Sequence, residues 1–101
     1  MILHIDTSKR NEVKVWFEFN GKVKKKVVKN VQSQNVLLLI GRILNENKLK
    51  LNDIKAVEVN TGPGSFTGLR VGVSVANALG FSLKIPVNGR KAGEVYPIYD
   101  K

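Results

Sequence analysis

Two polar segments contain the residue types that could do chemistry. Residues 6–8 (Asp-Thr-Ser) follow an apolar run, and a glycine-rich segment covers residues 61–68. A carboxylate followed by hydroxyls could hold a metal–phosphate unit, and a glycine-rich turn before a helix presents backbone N–H groups to phosphate. The alternatives are structural: the first turn could satisfy its own backbone, and the second could be a tight corner capped by Ser65 or Thr67. The second segment lacks the Gly-Lys-Ser/Thr ending of a Walker loop.

The sequence lacks the usual catalytic and metal-binding sets. It has one histidine, His4, and no cysteine, so a zinc or iron site would need mostly carboxylates, and these do not cluster. His4 lies in an apolar run, where a core role is commoner than a catalytic one. We therefore expect no catalytic residue, no resident metal and no cofactor.

Alternating strands and helices position these segments. Apolar and alternating runs predict strands over residues 2–6, 12–19, 22–29 and 55–59, with an Asn20-Gly21 hairpin and a short last strand from Ile85. Helices are predicted over residues 35–47 and 68–81. The order β-β-β-α-β-α-β predicts an α/β fold with a mixed sheet, in which residues 1–90 form one lobe and residues 91–101 a tail.

Both predicted helices have apolar residues on more faces than one small sheet can cover. In the first helix these residues surround nearly the whole circumference, and in the second the small residues at 72, 76 and 80 form a smooth ridge that lets another backbone approach. We therefore predict a protein–protein interface. Its expected residues are Val36, Leu39, Ile40, Ile43, Leu69, Gly72, Val73, Ala76 and Gly80.

The chain is strongly basic, with a formal net charge of +9. The third predicted strand is rich in lysine, at Lys22, Lys24, Lys26 and Lys29. Lysines protect an edge strand from pairing with another sheet, and contact with a polyanion is the alternative. The N-terminus does not resemble a signal peptide and no apolar run is long enough to span a bilayer, so we expect a cytoplasmic protein.

The two polar segments together resemble the TsaB family. The resemblance lies in Asp6-Thr7-Ser8 after an N-terminal strand and in residues 60–72, Asn-Thr-Gly-Pro-Gly-Ser-Phe-Thr-Gly-Leu-Arg-Val-Gly; it covers roughly residues 1–90. TsaB proteins are bacterial subunits of the machinery that makes threonylcarbamoyladenosine at position 37 of tRNAs. The resemblance implies a ribonuclease-H-like N-terminal lobe of the actin-like ATPase superfamily.

The resemblance also implies partners. TsaB pairs with the catalytic subunit TsaD through two N-lobe helices of each protein, packed as a four-helix bundle, and acts with the ATPase TsaE. It therefore implies a non-catalytic subunit that binds and stabilises TsaD, meets tRNA indirectly through the complex, and does not bind a membrane. In isolation we expect a homodimer through the same helices.

TsaB chains are longer and continue into a second lobe, so we expect a reduced form in which that lobe is missing. Because the superfamily closes its nucleotide between two lobes, we expect only a vestigial nucleotide site, with ATP and magnesium bound at most in a complex. Its expected residues are Asp6, Thr7, Ser8, Gly62, Gly64 and Ser65. The alternatives are a small nucleotide-binding or phosphoryl-transfer protein that uses Asp6 and residues 62–68, and a basic RNA-binding module.

Overall fold

A computed structural model describes residues 1–9, 12–29, 36–90 and 96, with the backbone alone at residues 24–29. The four strands are β1 (Ile2–Asp6), β2 (Glu12–Phe19), β3 (Lys22–Lys29) and β4 (Ala56–Val59). The two helices are α1 (Val36–Glu46) and α2 (Phe66–Leu83), and a 3-10 turn at Leu51–Asp53 precedes β4. The first four predicted strands and both predicted helices are therefore present, and α2 extends two residues beyond its predicted bounds at each end.

The strands form one sheet in the order β3-β2-β1-β4. β1 is antiparallel to β2 and parallel to β4, and β2 is antiparallel to β3, so the predicted mixed α/β sheet is confirmed. Asn20 and Gly21 form the β2–β3 turn, both with positive φ. Because β1, β3 and β4 run in one direction, α1 and α2 both start at the carboxyl end of the sheet, where these strands end. Both helices finish at its amino end, where these strands begin.

The core lies between one face of the sheet and the two helices. Alternate strand residues point to this face, as their period of two requires, and the buried helix residues join them in one apolar cluster. α1 contacts β2, α2 contacts β1 and β4, and the helices contact each other. The buried sheet residues are Leu3, Ile5, Val13, Val15, Phe17, Val57 and Val59.

The opposite face of the sheet contains His4 and Trp16. Their rings are stacked, with centroids 4.9 Å apart and planes 4° apart. His4 Nε2 lies 2.6 Å from Glu18 Oε1, and the His4 side chain is 19% exposed. The expectation that His4 belongs to the core is therefore wrong, because a residue's face depends on its strand register and the apolar neighbours of His4 point the other way.

The predicted last strand is reduced to single bridges. Val87 pairs in parallel with Val57 and antiparallel with Arg90, and Asn88 and Gly89 form a tight turn between them with positive φ. The Asn88 side-chain amide accepts from Val59 N at 2.8 Å and donates to Val59 O at 3.0 Å. Most of the predicted tail, residues 91–95 and 97–101, lies outside the described residues.

Helix α2 has 18 residues and is long and apolar enough, by length and composition alone, to cross a membrane. This corrects the expectation that no segment reaches that length. The helix nevertheless packs on the sheet through seven buried residues, as the core helix of a globular domain does. Residue 35, the predicted first residue of α1, lies outside the described part of the chain.

Candidate functional site

A polar cluster lies at the carboxyl end of the sheet, where the parallel strands β1 and β4 end side by side. Ser8 donates to Asp6 Oδ1 twice, from its backbone N at 2.9 Å and from its Oγ at 2.6 Å. Asn60, directly after β4, donates from Nδ2 to Asp6 Oδ1 at 3.3 Å and to Ser8 Oγ at 3.2 Å. The structure therefore brings together Asp6 and Ser8, as expected, and adds Asn60.

The cluster holds the Asp6 carboxylate in its charged form. Burial alone would raise the pKa of Asp6, but the hydrogen bonds from Ser8 and Asn60 and the charge of Lys14 outweigh it, so the pKa lies below its ordinary value. An ionised carboxylate at a strand end can attract a cation or orient a polar ligand. No group of three or more potential metal-ligating side chains occurs among the described residues.

The glycine-rich loop rests on the end of β1. Ser65 N donates to Ser8 O at 2.8 Å, and a Cβ added to Gly64 would lie 2.7 Å from the same oxygen. Gly62 N donates to Asn60 Oδ1 at 2.9 Å, and the Gly62–Pro63 peptide is cis. Ser65 caps α2 by accepting from Gly68 N at 3.5 Å. The loop forms the tight corner expected as the structural alternative, because Gly64 and the Ser65 amide pack on Ser8, just after β1, while the Gly62 amide bonds to Asn60, just after β4.

Thr7 belongs to the core rather than to the polar cluster. It is 1% exposed, and its Oγ1 donates to Gly68 O at 2.5 Å. A Cβ at Gly68 would collide with the Thr7 carbonyl oxygen, and one at Gly72 would collide with Thr7 Oγ1. The expectation that Thr7 faces a nucleotide is therefore corrected: its side chain fills a notch in α2 that two glycines create.

The residues expected at a partner interface also lie inside the chain. A Cβ at Gly80 would collide with the Val87 side chain, so the ridge of small residues on α2 faces the chain's own sheet and its last bridge. Spacing shows which residues share a face, but not whether that face meets the sheet or a partner. The structure buries all nine: Val36, Leu39, Ile40, Ile43, Leu69, Gly72, Val73, Ala76 and Gly80.

The outer face of α1 remains apolar in part. Leu37 is 56% exposed and Leu38 is 69% exposed. Gly41, one turn further along, is also exposed, and a Cβ added there would meet nothing within 4 Å. Arg42 lies beside them. Sequence reasoning missed Gly41, although a glycine among leucines in the middle of a helix was a visible signal.

A shallow groove runs along the outer side of α2. Val71 and Val75 are half-buried and pack on the edge of the core. Arg70 is exposed, and its guanidinium lies 5.5 Å from the centroid of the Phe66 ring. The groove is lined by Thr67, Arg70, Val71, Ser74 and Val75.

Comparison with known proteins places the chain in a family. The family model described as TsaD, tRNA N6-adenosine threonylcarbamoyltransferase, matches residues 14–91. The tRNA threonylcarbamoyladenosine biosynthesis protein TsaB of Escherichia coli is 32% identical over 89 residues, which cover 87% of this chain and 38% of that protein. TsaB of Buchnera aphidicola subsp. Schizaphis graminum is 37% identical over 73 residues, covering 65% of this chain and 35% of the relative.

A solved structure agrees with these relatives. YeaZ from Pseudomonas aeruginosa superposes with a TM-score of 0.77 at 28% identity, over 85% of this chain and 41% of that chain. The chain thus spans well under half the length of the relatives that it matches, and its fold matches part of an actin-like, ribonuclease-H-like protein. From the family match over residues 14–91, the TsaB relatives and the agreement in fold, we conclude that the chain belongs to the TsaB family of tRNA threonylcarbamoyladenosine biosynthesis proteins.

Proposed function

We propose that this chain is a non-catalytic subunit of the machinery that makes threonylcarbamoyladenosine in tRNA, and that it binds a TsaD-type transferase through the outer faces of α1 and α2. The similarity to TsaB proteins of tRNA threonylcarbamoyladenosine biosynthesis supports a role in this pathway. The observation that carries the binding role is the exposed apolar surface around Gly41, which we call the Gly41 surface: Leu37, Leu38, Gly41 and Arg42.

Gly41 differs from the other helical glycines. Gly68, Gly72 and Gly80 each have a neighbour within the chain that excludes a side chain, whereas Gly41 has open space. A glycine inside a helix costs about 1 kcal/mol relative to alanine. Since nothing in the described part of the chain requires that cost at Gly41, close approach by another backbone is its physical reason.

The leucines beside Gly41 supply the affinity. Full burial of a leucine side chain contributes about 1.5–3 kcal/mol relative to exposure, and Leu37 and Leu38 are both more than half exposed. The α2 groove lies on the same side of the molecule because both helices cover one face of the sheet. Arg42 and Arg70 add positive charge to this side, so the complementary partner surface is apolar with acidic residues at its rim.

The catalytic role is assigned to the partner because this chain has few candidate groups. Its single histidine lies on the sheet face away from the helices and bonds to Glu18, while Asp6 is held by Ser8 and Asn60. We propose that ATP with magnesium, and TsaE, are met only in the assembled complex, in the cytoplasm. In isolation, a second copy covers the Gly41 surface and gives a homodimer.

The test is co-purification with tagged TsaD from the same organism, followed by affinity measurement. We expect Leu38→Glu to weaken binding about 100-fold or more, because it removes apolar contact and buries a charge. Leu51→Glu is the matched control, since Leu51 is a 46% exposed leucine outside α1 and α2; it should bind like the unmodified chain. Failure of the unmodified chain to retain TsaD, or equal binding by both variants, would disprove the proposal.

The polar cluster supports a second candidate function, the binding of a nucleotide by this chain alone. Asp6 is held ionised beside the loop of residues 62–68. Calorimetric titration with magnesium-ATP tests it: heat that disappears in Asp6→Ala supports this function, and no heat with the unmodified chain excludes it.

A further inference from the structure

We propose that the amino end of the sheet is a direct RNA-binding surface, formed by exposed lysines, two of which occupy the left-handed backbone positions at the ends of both helices. This inference rests on the proposed function for the presence of RNA, but it concerns a different surface from the Gly41 surface. Its residues, which we call the basic end, are Lys22, Lys48, Lys50, Lys55 and Lys84.

The topology brings these lysines to one place. α1 and α2 both finish at the amino end, just before Lys48 and Lys84. Lys55 precedes β4, and its backbone N donates to Met1 O at 2.9 Å at the start of β1. Lys22 follows the β2–β3 turn, which lies at the same end because Ile2 is paired with Glu18. All five lysines are exposed or partly exposed.

Lys48 and Lys84 have an unfavourable backbone conformation. Both have a φ of 56°, in the left-handed region that glycine adopts most easily. Each helix ends with a 6→1 hydrogen bond donated by the residue that follows the lysine. Leu49 N donates to Leu44 O at 2.9 Å, and Ile85 N donates to Gly80 O at 3.1 Å. Glycine is the usual residue at this position of such a helix end.

The rest of the described chain follows the usual preference. Its other residues with positive φ are Asn20, Asn88 and glycines, so lysine occupies such a position only at the two helix ends. A positive charge there interacts favourably with the helix dipole, but a lysine one turn earlier would do so without the strained φ. We infer that the position of these charges is used for a ligand.

The lysines are available to a polyanion. The two salt bridges between described residues involve other groups, His4–Glu18 and Lys14–Glu12. Lys55 Nζ donates to Asn52 O at 3.4 Å, and this contact is exposed. Phe81, three residues before Lys84, is 88% exposed. Lysines that reach phosphates, with an exposed ring on which a base can stack, are the combination that single-stranded or looped RNA uses.

The experiment measures binding of the full 101-residue chain, without TsaD, to an in-vitro-transcribed tRNA at several salt concentrations. We expect Lys48→Gly/Lys84→Gly to lower the affinity for the tRNA. The slope of log K against log salt should become shallower by about two, because each lysine that no longer neutralises a phosphate reduces it by about one. The same double variant should be more thermally stable, with a higher Tm, because glycine relieves the strained φ. Lower affinity with higher stability cannot come from unfolding.

A charge-matched control is Lys9→Gln/Lys14→Gln, since Lys9 is exposed, Lys14 is partly exposed, and both lie at the carboxyl end, where Lys14 is paired with Asp6; it should keep most of the affinity. Phe81→Ala should lower the affinity about tenfold without changing the salt slope, since stacking releases no counterions. Equal loss in the control pair, or binding only to phosphatidylserine vesicles, overturns the proposal. Because TsaD is absent, the result is independent of whether the Gly41 surface binds it.

Discussion

Thr7 Oγ1 donates a hydrogen bond to the carbonyl oxygen of Gly68, 61 residues further along the chain, and the bond is buried. It joins the end of β1 to the first turn of α2. Since Gly64, Gly68 and Gly72 all approach residues 7–8 too closely for a Cβ, the glycine-rich motif is first of all the means by which strand and helix meet.

Substitution by alanine should have opposite effects on the stability of the chain at two helical glycines, Gly72 and Gly41. Gly72→Ala is expected to destabilise the chain by about 1–3 kcal/mol, because the new methyl group collides with buried Thr7. Gly41→Ala is expected to stabilise it by about 0.5–1 kcal/mol, because the site is open and alanine favours the helix. Urea unfolding of both variants measures this, and destabilisation of Gly41→Ala would show that an internal contact exists there.

The Thr7 hydroxyl can be tested with a variant of similar shape. Thr7→Val keeps the branched side chain but removes the donor to Gly68 O, so we expect a loss of about 0.5–1.5 kcal/mol in the free energy of unfolding. Thr7→Ser, which keeps the hydroxyl, is the companion variant. If neither substitution lowers the stability measured by urea unfolding, the strand–helix junction is held by other contacts.

The lowered pKa of Asp6 predicts that the stability of the chain depends on pH. Its pKa is lower in the folded chain than its ordinary value of 3.8, so the unfolded chain takes up the proton first as pH falls. The stabilisation is therefore fully present well above pH 3.8 and is lost as pH falls through that value towards the folded pKa.

Unfolding of Asp6→Asn at a series of pH values tests this dependence. The variant should be less stable than the unmodified chain near neutral pH, and the difference should shrink in acid. Ser8→Ala, which removes one donor to Asp6, should give a smaller version of the same effect. If the difference in stability between Asp6→Asn and the unmodified chain stays constant from neutral to acidic pH, the Asp6 carboxylate does not cause the pH dependence.

The Asn88 side chain should contribute measurably to stability through its two bonds to Val59. Asn88→Gly accepts the positive φ of the turn but removes both hydrogen bonds, so we expect a loss of about 1–2 kcal/mol. Gly89→Asn is a useful comparison, since it keeps the bonds and tests the turn alone. Hydrogen exchange at the Val59 amide reports the contact directly, and unchanged protection in Asn88→Gly would contradict it.

The sequence predicts the elements well because their signals are local. Alternation marks β2, and Asn20-Gly21 marks its hairpin. The faces of the helices could not be predicted, because the four-residue spacing of Gly72, Ala76 and Gly80 fits a partner as well as the chain's own sheet.

Local sequence patterns also could not predict which residues contact the glycines of α2. Thr7 is far from α2 in sequence, and only the parallel pairing of β1 with β4 brings it there. The same pairing explains why Asn60 joins Asp6. That neighbourhood could have been inferred, since adjacent parallel strands end at the same edge.

The side-chain amide of Asn88 occupies both backbone hydrogen-bonding groups of Val59, as a peptide group of a fifth strand would. A foreign strand that approached β4 would have to displace this amide together with the backbone of Pro86 and Asn88, which bonds to Val57. One polar side chain thereby helps to protect a short parallel sheet edge against polymerisation through open-ended strand addition.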